Sequence, residues 1–229
     1  MALKGIKRGR SAADFLPPTK SLSALKRAAA FCKGCDLYKR ATQTVFGEGP
    51  KNAAVMFVGE QPGDFEDRAG RPFVGPAGRM FDKALEEARL KREEVYVTNA
   101  VKHFKWKPMG KRRKHERPLV SEIMACRPWL EAEIDVIRPQ IIVCLGAAAA
   151  QSVLREKVPI QKDRGTFRES ELAPAVFITI HPSSIYRHPE RKQQKLEYRR
   201  FVQEMKVVRQ KLDRLEEQNK KRHRERLAG

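Results

Sequence analysis

The chain has 229 residues, a length that suits one compact α/β domain with extensions. Its 48 Lys and Arg residues outnumber 28 Asp and Glu residues, which gives a net charge of +20. Four cysteines are too few for a secreted disulfide scaffold, and no apolar run approaches the ~18 residues of a membrane span. We therefore expect a cytoplasmic monomer without a membrane partner. Nucleic acid is the leading partner for such a basic surface, and a solvated surface with basic tails is the alternative.

In chain order, the first element is a basic segment, residues 1–20, which we expect to be flexible. A short helix then runs from about Leu22 to Phe31. Four apolar runs predict buried strands, and helical patterns separate them. The strands are Ala53–Gly59, Val95–Val101, Ile141–Gly146 and Ala175–Ile180, and the helices are Pro76–Leu90, Val120–Ile137 and Ala147–Leu154. This alternation predicts a three-layer α/β/α sandwich with a central four-stranded parallel sheet.

From about Glu190 onward the sequence predicts one long charged helix. Its apolar stripe indicates that the first half docks on the domain. The stripe consists of Phe201, Met205, Val208, Leu212 and Leu215. We place the domain at residues 21–205 and a basic helical extension at residues 206–229. The extension either contacts a nucleic-acid backbone or remains solvated.

Polar residues follow three of the four predicted strands, and ligands of parallel sheets bind beyond the carboxyl ends of the strands. The first strand is followed by Glu60-Gln61-Pro62-Gly63-Asp64, the second ends in Thr98-Asn99, and the fourth is followed by His181-Pro182-Ser183-Ser184. The third strand ends in Leu145-Gly146 and a run of alanines, which is typical of tight packing. The sequence therefore predicts a functional site at the ends of strands one, two and four.

The segments Gly59–Asp67 and Gly70–Gly78, taken with the polar residues after strands two and four, resemble the motifs of the uracil-DNA glycosylase superfamily. The resemblance to family 4 of that superfamily spans about Cys32 to Tyr186. It implies an enzyme that flips uracil out of DNA into a closed pocket.

The resemblance also implies roles for individual residues. Phe73 matches the aromatic residue that stacks on uracil, and Asn99 matches the amide that reads the uracil edge as donor and acceptor. His181 matches the histidine that stabilises the departing uracil anion, and Ser183 and Ser184 complete its substrate-binding motif. Glu60 and Asp64 match the first acids of the motif, which stabilise an oxocarbenium-like sugar, orient a nucleophile or act as a base.

Two features depart from ordinary family 4 and resemble the UdgX branch. Gln61 stands where family 4 commonly has Ala. The segment Lys105–Arg117 carries the basic core Lys111–His115, which by itself is typical of a phosphate-binding loop. UdgX proteins have a similar Lys-Arg-Arg-x-His insertion, whose histidine attacks C1′ of deoxyribose after uracil leaves. The resemblance implies that His115 is this nucleophile, and that Arg113 and its neighbours hold the loop and contact phosphate.

A Cys-x-x-Cys pair, Cys32 and Cys35, could by itself be half of a zinc site or a redox pair. The family 4 resemblance implies a [4Fe–4S] cluster, whose last cysteine matches Cys126. His103 stands where the remaining family cysteine is expected, and it is the candidate fourth ligand because imidazole replaces thiolate in Rieske centres. Cys144 is the competing ligand, although a cysteine inside a buried strand usually behaves as a small hydrophobe.

The sequence therefore predicts a protein that excises uracil from DNA, preferably single-stranded DNA, releases uracil, and bonds His115 to C1′ of the sugar. A turnover glycosylase is one alternative, with water activated by Glu60 or Asp64. A non-enzymatic, metal-braced nucleic-acid-binding protein is the other. The joint presence of Glu60, Asn99 and His181 argues against mere binding, which would not need all three.

Overall fold

The computed structural model of the protein describes residues 10–19 and 21–228. Its strands are β1 (Val55–Gly59), β2 (Tyr96–Asn99), β3 (Trp106–Met109), β4 (Arg112–His115), β5 (Ile141–Leu145), β6 (Thr166–Ser170) and β7 (Ala173–Thr179). Its α-helices are α1 (Leu22–Ala29), α2 (Asp64–Ala69), α3 (Pro76–Glu87), α4 (Val120–Ile137), α5 (Ala147–Leu154), α6 (Ile160–Asp163), α7 (Pro182–Tyr186) and α8 (Arg191–Ala228). Short 3-10 helices lie at Ala12–Phe15 and Asp36–Lys39.

The central sheet has the strand order β2-β1-β5-β7-β6, and the first four strands are parallel. The predicted α/β/α sandwich is confirmed, but the sheet has five strands where the sequence predicted four. The missing strand, β6, pairs antiparallel with β7 at the edge of the sheet. Its sequence, Thr-Phe-Arg-Glu-Ser, is half-exposed and charged, so it lacks the apolar run by which the buried strands are recognised.

Side chains alternate between the two faces of the sheet, and helices cover both faces. Phe57, Val143 and Phe177 point to the face covered by α3 and α8. Met56 and Ile142 point to the opposite face, against α4 and α5. Burial on both faces explains why β1 and β5 are apolar throughout.

Helix α8 joins the predicted domain to its predicted extension without a break. Phe201, Met205, Val208 and Leu212 are buried in the core, and Leu215 packs against it, as the apolar stripe predicts. The contact continues beyond the core, because Asn219 donates a hydrogen bond to Gln140, 3.2 Å away. The boundary that we placed after residue 205 therefore falls inside a docked helix.

The N-terminal segment differs from the expected flexible lead-in where the structure describes it. Ser11 caps the 3-10 helix Ala12–Phe15, and Ala12 is buried in a cluster with α1 and α4. Residues 1–9 and residue 20 of the predicted flexible segment lie outside the described residues. Across residues 10–19 and 21–228, we find no helix with the length and apolarity that crossing a membrane requires.

The register of the sheet brings the predicted site together. Gly59, at the end of β1, lies beside Asn99, at the end of β2. The pairing continues past both strands, because Val101 donates its backbone N–H to the Glu60 carbonyl over 3.1 Å. The segment after β2 then forms the antiparallel hairpin β3–β4, where the sequence suggested only a basic loop.

Candidate active site

A cavity of about 220 Å³ opens at the carboxyl ends of the parallel strands. Most of the predicted site residues line it, from four separate stretches of chain. These residues are Gln61, Asp64, Phe73, Asn99, Arg113, His115, His181 and Ser183. The structure therefore brings the predicted base-reading residues and the predicted nucleophile into one cavity.

Gly59 packs directly against three of the side chains that line the cavity. A methyl group on its Cα would overlap Oδ1 of Asn99 and the Phe73 ring, and would lie 3.4 Å from Nε2 of His181. The three predicted base-reading side chains thus converge on one point, where only glycine leaves space. A flat ring in the cavity would meet an aromatic face, an amide and an imidazole.

Phe73 is held in an uncommon backbone conformation, with a φ of 58°. A non-glycine residue with positive φ is strained and is common at functional sites. The Phe73 carbonyl packs against Gly78, where any side chain would overlap it. The Phe73 ring is stacked with His181, with a centroid separation of 6.0 Å and an interplanar angle of 27°.

Hydrogen bonds to His181 define its tautomer. Its Nδ1 accepts the backbone N–H of Ser183 over 3.1 Å, so the proton of the neutral ring resides on Nε2. Burial, with the positive charge of Arg187, lowers the His181 pKa to about 4. His181 is therefore neutral at physiological pH and has an Nε2–H donor at the cavity floor.

His115 lies at the end of β4, with its ring in the cavity wall. The Gln61 amide nitrogen lies 2.8 Å from its Nε2, and Oε1 of Glu60 lies 3.4 Å from the same atom. Gln61 also joins the two ends of the hairpin: Nε2 donates to the Glu116 carbonyl at 2.8 Å, and Oε1 accepts the Lys105 N–H at 2.9 Å. These backbone partners fix the orientation of the amide, so its N–H group faces the His115 lone pair.

The charge states around His115 are set by burial and by two arginines. Burial lowers the pKa of His115, and the charges of Arg187 and Arg117 lower it further. Burial raises the pKa of Glu60, whereas the same two arginines oppose that rise. The imidazole is therefore held neutral, as a nucleophile requires.

Arg113 departs from the role expected of it. Its guanidinium pairs with Asp64, and its Nη1 lies 2.6 Å from Oδ2 of the fully buried Asp67. The same group lies over the Phe104 and Trp106 rings, 5.4 Å from each centroid. Arg113 does hold the loop, as predicted, but its charge is paired inside the protein and is not presented to phosphate.

Asp64 and Ser184 also differ from the expected arrangement. Asp64 begins α2, and Arg68 and Arg113 both pair with its carboxylate, so it acts first as an anchor for the hairpin. Ser184 is exposed, and its hydroxyl donates to the His181 carbonyl at 2.7 Å. Ser183, by contrast, lines the cavity and accepts a hydrogen bond from Arg187 at 3.0 Å.

Sequence reasoning gave no role to two charged residues of the site. Arg187 lines the cavity and influences both histidines, and its only sequence signal is a position shortly after the His-Pro-Ser-Ser motif. Glu66 accepts the backbone N–H groups of Gly63, at 3.0 Å, and Gly75, at 2.7 Å. The spacing of Gly63 and Glu66 is that of a capping box, which was the available signal.

Comparison with known proteins identifies the family of the chain. The model of the uracil DNA glycosylase superfamily matches residues 46–206, which is most of the chain. The chain belongs to the uracil-DNA glycosylase superfamily. Its relatives include the type-4 uracil-DNA glycosylase of Sulfurisphaera tokodaii, with 38% identity over 74% of this chain and 77% of the relative. The corresponding enzyme of Thermotoga maritima is 39% identical over 69% and 79%, and that of Archaeoglobus fulgidus is 35% identical over 75% and 86%.

Three of the four cysteines of this superfamily member lie in one region. Cys32 and Cys126 are buried in one cluster, Cys35 packs against it, and all are free thiols. Cys144 is buried in a different cluster, on the sheet face that α4 and α5 cover. Within the described part of the chain, no three His, Cys, Asp or Glu side chains form a group that could hold a metal ion.

His103 is connected to the region of the cysteines through hydrogen bonds. Its Nε2 lies 2.9 Å from Oγ1 of Thr44, which donates to the Ala29 carbonyl. The same carbonyl accepts the backbone N–H of Cys32 over 3.0 Å. His103 therefore belongs to the packing around Cys32, whereas Cys144 does not.

Proposed function

We propose that this chain is a UdgX-type uracil-DNA glycosylase, which excises uracil from DNA and then bonds His115 to the exposed sugar. The observation that carries the proposal is the position of His115. Its Nε2 lies in the same cavity as Asn99 and His181, and Gln61 and Glu60 both contact it. A basic loop that served only for phosphate binding would not need a neutral, half-buried imidazole beside the base-reading residues.

Uracil recognition follows from the convergence at Gly59. Phe73 offers a face for stacking, and Asn99 offers both a donor and an acceptor to the uracil edge. The Nε2–H of His181 donates to a uracil oxygen, on which negative charge develops as the glycosidic bond breaks. A neutral imidazole donor is suited to this because it stabilises the anion without surrendering a proton.

The capture step is a substitution at C1′. The bond between C1′ and N1 of uracil breaks, and its electron pair leaves with the uracil anion. The lone pair of His115 Nε2 then forms the new bond to C1′, replacing the hydrogen bond from Gln61. The resulting imidazolium loses its Nδ1 proton to solvent, and no water is consumed. The adduct persists because the occupied nitrogen fills the position from which water would attack.

The DNA is preferably single-stranded in this proposal, because a base that is already unpaired needs less energy to enter the pocket. The net charge of +20 favours a polyanion through counterion release. Arg113 contributes by holding the hairpin, while its exposed neighbour Arg112 is free to meet phosphate.

A denaturing gel tests the proposal directly. Wild-type protein mixed with single-stranded uracil-containing DNA should give a heat- and SDS-resistant shifted band. The band should disappear in His115→Ala and persist in the matched control Lys114→Ala, on the same strand. Multiple turnovers that release abasic DNA without a shifted band would assign the chain to conventional turnover glycosylases. The absence of any reaction would favour the non-enzymatic alternative.

Two smaller variants of His115 separate the nucleophile from the rest of the site. His115→Gly and His115→Ser leave the base-reading residues in place and admit water to C1′. We expect both variants to release uracil with turnover and without a covalent product. Loss of excision in both variants would contradict the proposed division of roles.

We further propose that Cys32, Cys35, Cys126 and His103 hold a [4Fe–4S] cluster. The shared packing region of the three thiols supports this assignment, and the Lys102 N–H donates to Cys126 Sγ over 3.3 Å, as hydrogen bonds to cluster sulfurs do. The cluster would supply a structural cross-link between the N-terminal segment and α4. Its visible absorbance should be lost in Cys126→Ala and retained in Cys144→Ala; the reverse result would overturn the ligand set.

A further inference from the structure

A buried ion pair lies directly behind the predicted uracil-reading residue. Nζ of Lys102 lies 2.5 Å from Oε2 of Glu133, and both side chains are fully buried. Lys102 follows β2 by three residues, and Glu133 lies on α4. Neither residue lines the active-site cavity, so the proposed chemistry gives the pair no role.

The pair is embedded in a fully satisfied hydrogen-bond network. Glu133 accepts hydrogen bonds from the Tyr96 hydroxyl at 2.8 Å, the Thr98 hydroxyl at 3.0 Å and the Gly47 N–H at 3.1 Å. A buried charge pair is often no more stabilising than apolar residues of the same shape. An effect on position is therefore a better explanation for this network than an effect on stability.

The network ends at the residue that reads the base. Nζ of Lys102 donates to the Asn99 carbonyl over 2.9 Å and to the Thr98 hydroxyl over 2.5 Å. Lys102 thus folds back over its own turn and fixes the peptide that carries the Asn99 side chain. On the other side of that peptide, β2 is held by its pairing with β1 at Gly59.

Helix α4 holds the same turn at two points. Glu133 binds the Lys102 side chain, and Cys126, seven residues earlier on α4, accepts the Lys102 backbone N–H. Residues seven apart lie on one face of a helix, so both contacts face the turn. Helix α4 therefore holds the turn that directly follows Asn99.

We infer that Lys102 and Glu133 are positioning residues that orient Asn99 for the discrimination of uracil from cytosine. The inference rests on the proposed function of the cavity. Uracil and cytosine differ in the donor and acceptor pattern of the edge that an amide reads, so the amide must be held in one orientation. A displacement of about 1 Å in a reacting or recognising group lowers activity by roughly 100-fold.

The double variant Lys102→Met/Glu133→Gln tests the inference. It removes both charges, keeps the side-chain volumes, and avoids leaving one charge buried without a partner. The Asn99 carbonyl loses its Lys102 donor. We expect a folded protein in which kcat/KM for uracil excision falls roughly 10- to 100-fold and selectivity over cytosine falls with it.

Leu130→Ala is the matched control. Leu130 lies on the same helix and is buried in the core, with no polar contact to the turn. The control should destabilise the protein without changing the selectivity for uracil over cytosine. If the double variant kept wild-type rate and selectivity, or lost activity only in parallel with Leu130→Ala, the inference would be wrong.

A second measurement does not depend on catalysis. The side-chain amide signals of Asn99 in an NMR spectrum, assigned by their loss in Asn99→Asp, should shift or broaden in the double variant but not in Leu130→Ala. Unchanged signals would overturn the inference even if excision fell. A wild-type protein that fails to excise uracil would instead refute the proposed function, and the NMR result would still decide the role of the pair.

Discussion

The side-chain nitrogen of Gln61 lies 2.8 Å from Nε2 of His115, and the same amide bonds the backbone at both ends of the hairpin β3–β4. One side chain therefore closes the base of the hairpin and directs the proposed nucleophile. The arrangement links a residue after β1 to a histidine 54 positions later in the sequence.

Replacing Gln61 by Ala should uncouple capture from excision. The variant loses its bonds to Lys105, Glu116 and His115, so the imidazole is no longer held against C1′, while the base-reading residues are untouched. We expect the yield of covalent adduct to fall at least about 10-fold, with uracil release retained. Gln43→Ala is the control, because Gln43 binds the backbone of α2 at Asp67 and Arg68 and does not contact the hairpin. Equal loss in both variants would contradict the prediction.

Replacing Arg113 by Met should release the hairpin from α2. The change removes the partner of the buried Asp67, and loss of one member of a buried pair costs about 3–5 kcal/mol. We expect a lower free energy of unfolding and faster hydrogen exchange in β3 and β4. Arg112→Met changes the exposed neighbour and should alter neither quantity. Similar exchange in the two variants would show that Arg113 does not fasten the hairpin.

Replacing Gly59 by Ala should disrupt the uracil site. The added methyl group would overlap Oδ1 of Asn99 and the Phe73 ring, so these side chains would have to move from the positions proposed for reading the base. We expect a folded protein whose excision rate falls by at least about 100-fold. Gly110→Ala, at the tip of the hairpin, strains a turn with a φ of 57° but places its methyl group in open space, and should retain excision. Normal excision by Gly59→Ala would place the uracil site elsewhere.

The pH dependence of capture should show the effect of the Arg187 charge on the pKa of His115. Capture needs the neutral form of His115. Burial, Arg187 and Arg117 lower the His115 pKa. The rate of capture should therefore fall only at a pH below the ordinary histidine pKa of about 6.5. In Arg187→Gln the His115 pKa rises, and the acidic limb of the rate profile should move to higher pH. The Glu60 pKa rises as well, because Arg187 also lowers it, and this moves the limb in the same direction.

Single-turnover rates of adduct formation across the acidic range would measure this shift. Arg112→Gln is the control. It removes a positive charge from the hairpin that carries His115, but Arg112 is not among the charges that lower the His115 pKa. The pH–rate profile of this variant should match that of the wild type. An unmoved midpoint in Arg187→Gln would contradict the prediction.

Much of the fold was predictable because the parallel strands are apolar throughout. Runs such as Ile141–Leu145 are buried on both faces, so composition alone marks them. The site followed from the rule that ligands bind beyond the carboxyl ends of parallel strands, which placed Asn99 and His181 together correctly.

The hairpin and the buried pair were not predictable, for physical reasons. Arg112–His115 has no apolar alternation and no β-branched residue, so it gives no strand signal, and its contact through Arg113 joins it to Asp67, 46 residues away. Lys102 directly follows an apolar run, a position at which we would expect a solvent-exposed lysine side chain. Only the tertiary structure reveals Glu133 as its partner.

The hairpin leaves the domain and returns to it at one place, where the Glu116 N–H donates to the Lys105 carbonyl over 3.0 Å. Because the two ends already meet, the intervening residues can be gained or lost without rerouting the chain on either side. The proposed nucleophile thus resides on an insertion that Gln61, Asp64 and Asp67 attach to the host domain. A turnover enzyme could acquire the proposed covalent capture, or lose it, by exchanging this insertion and the few residues that receive it.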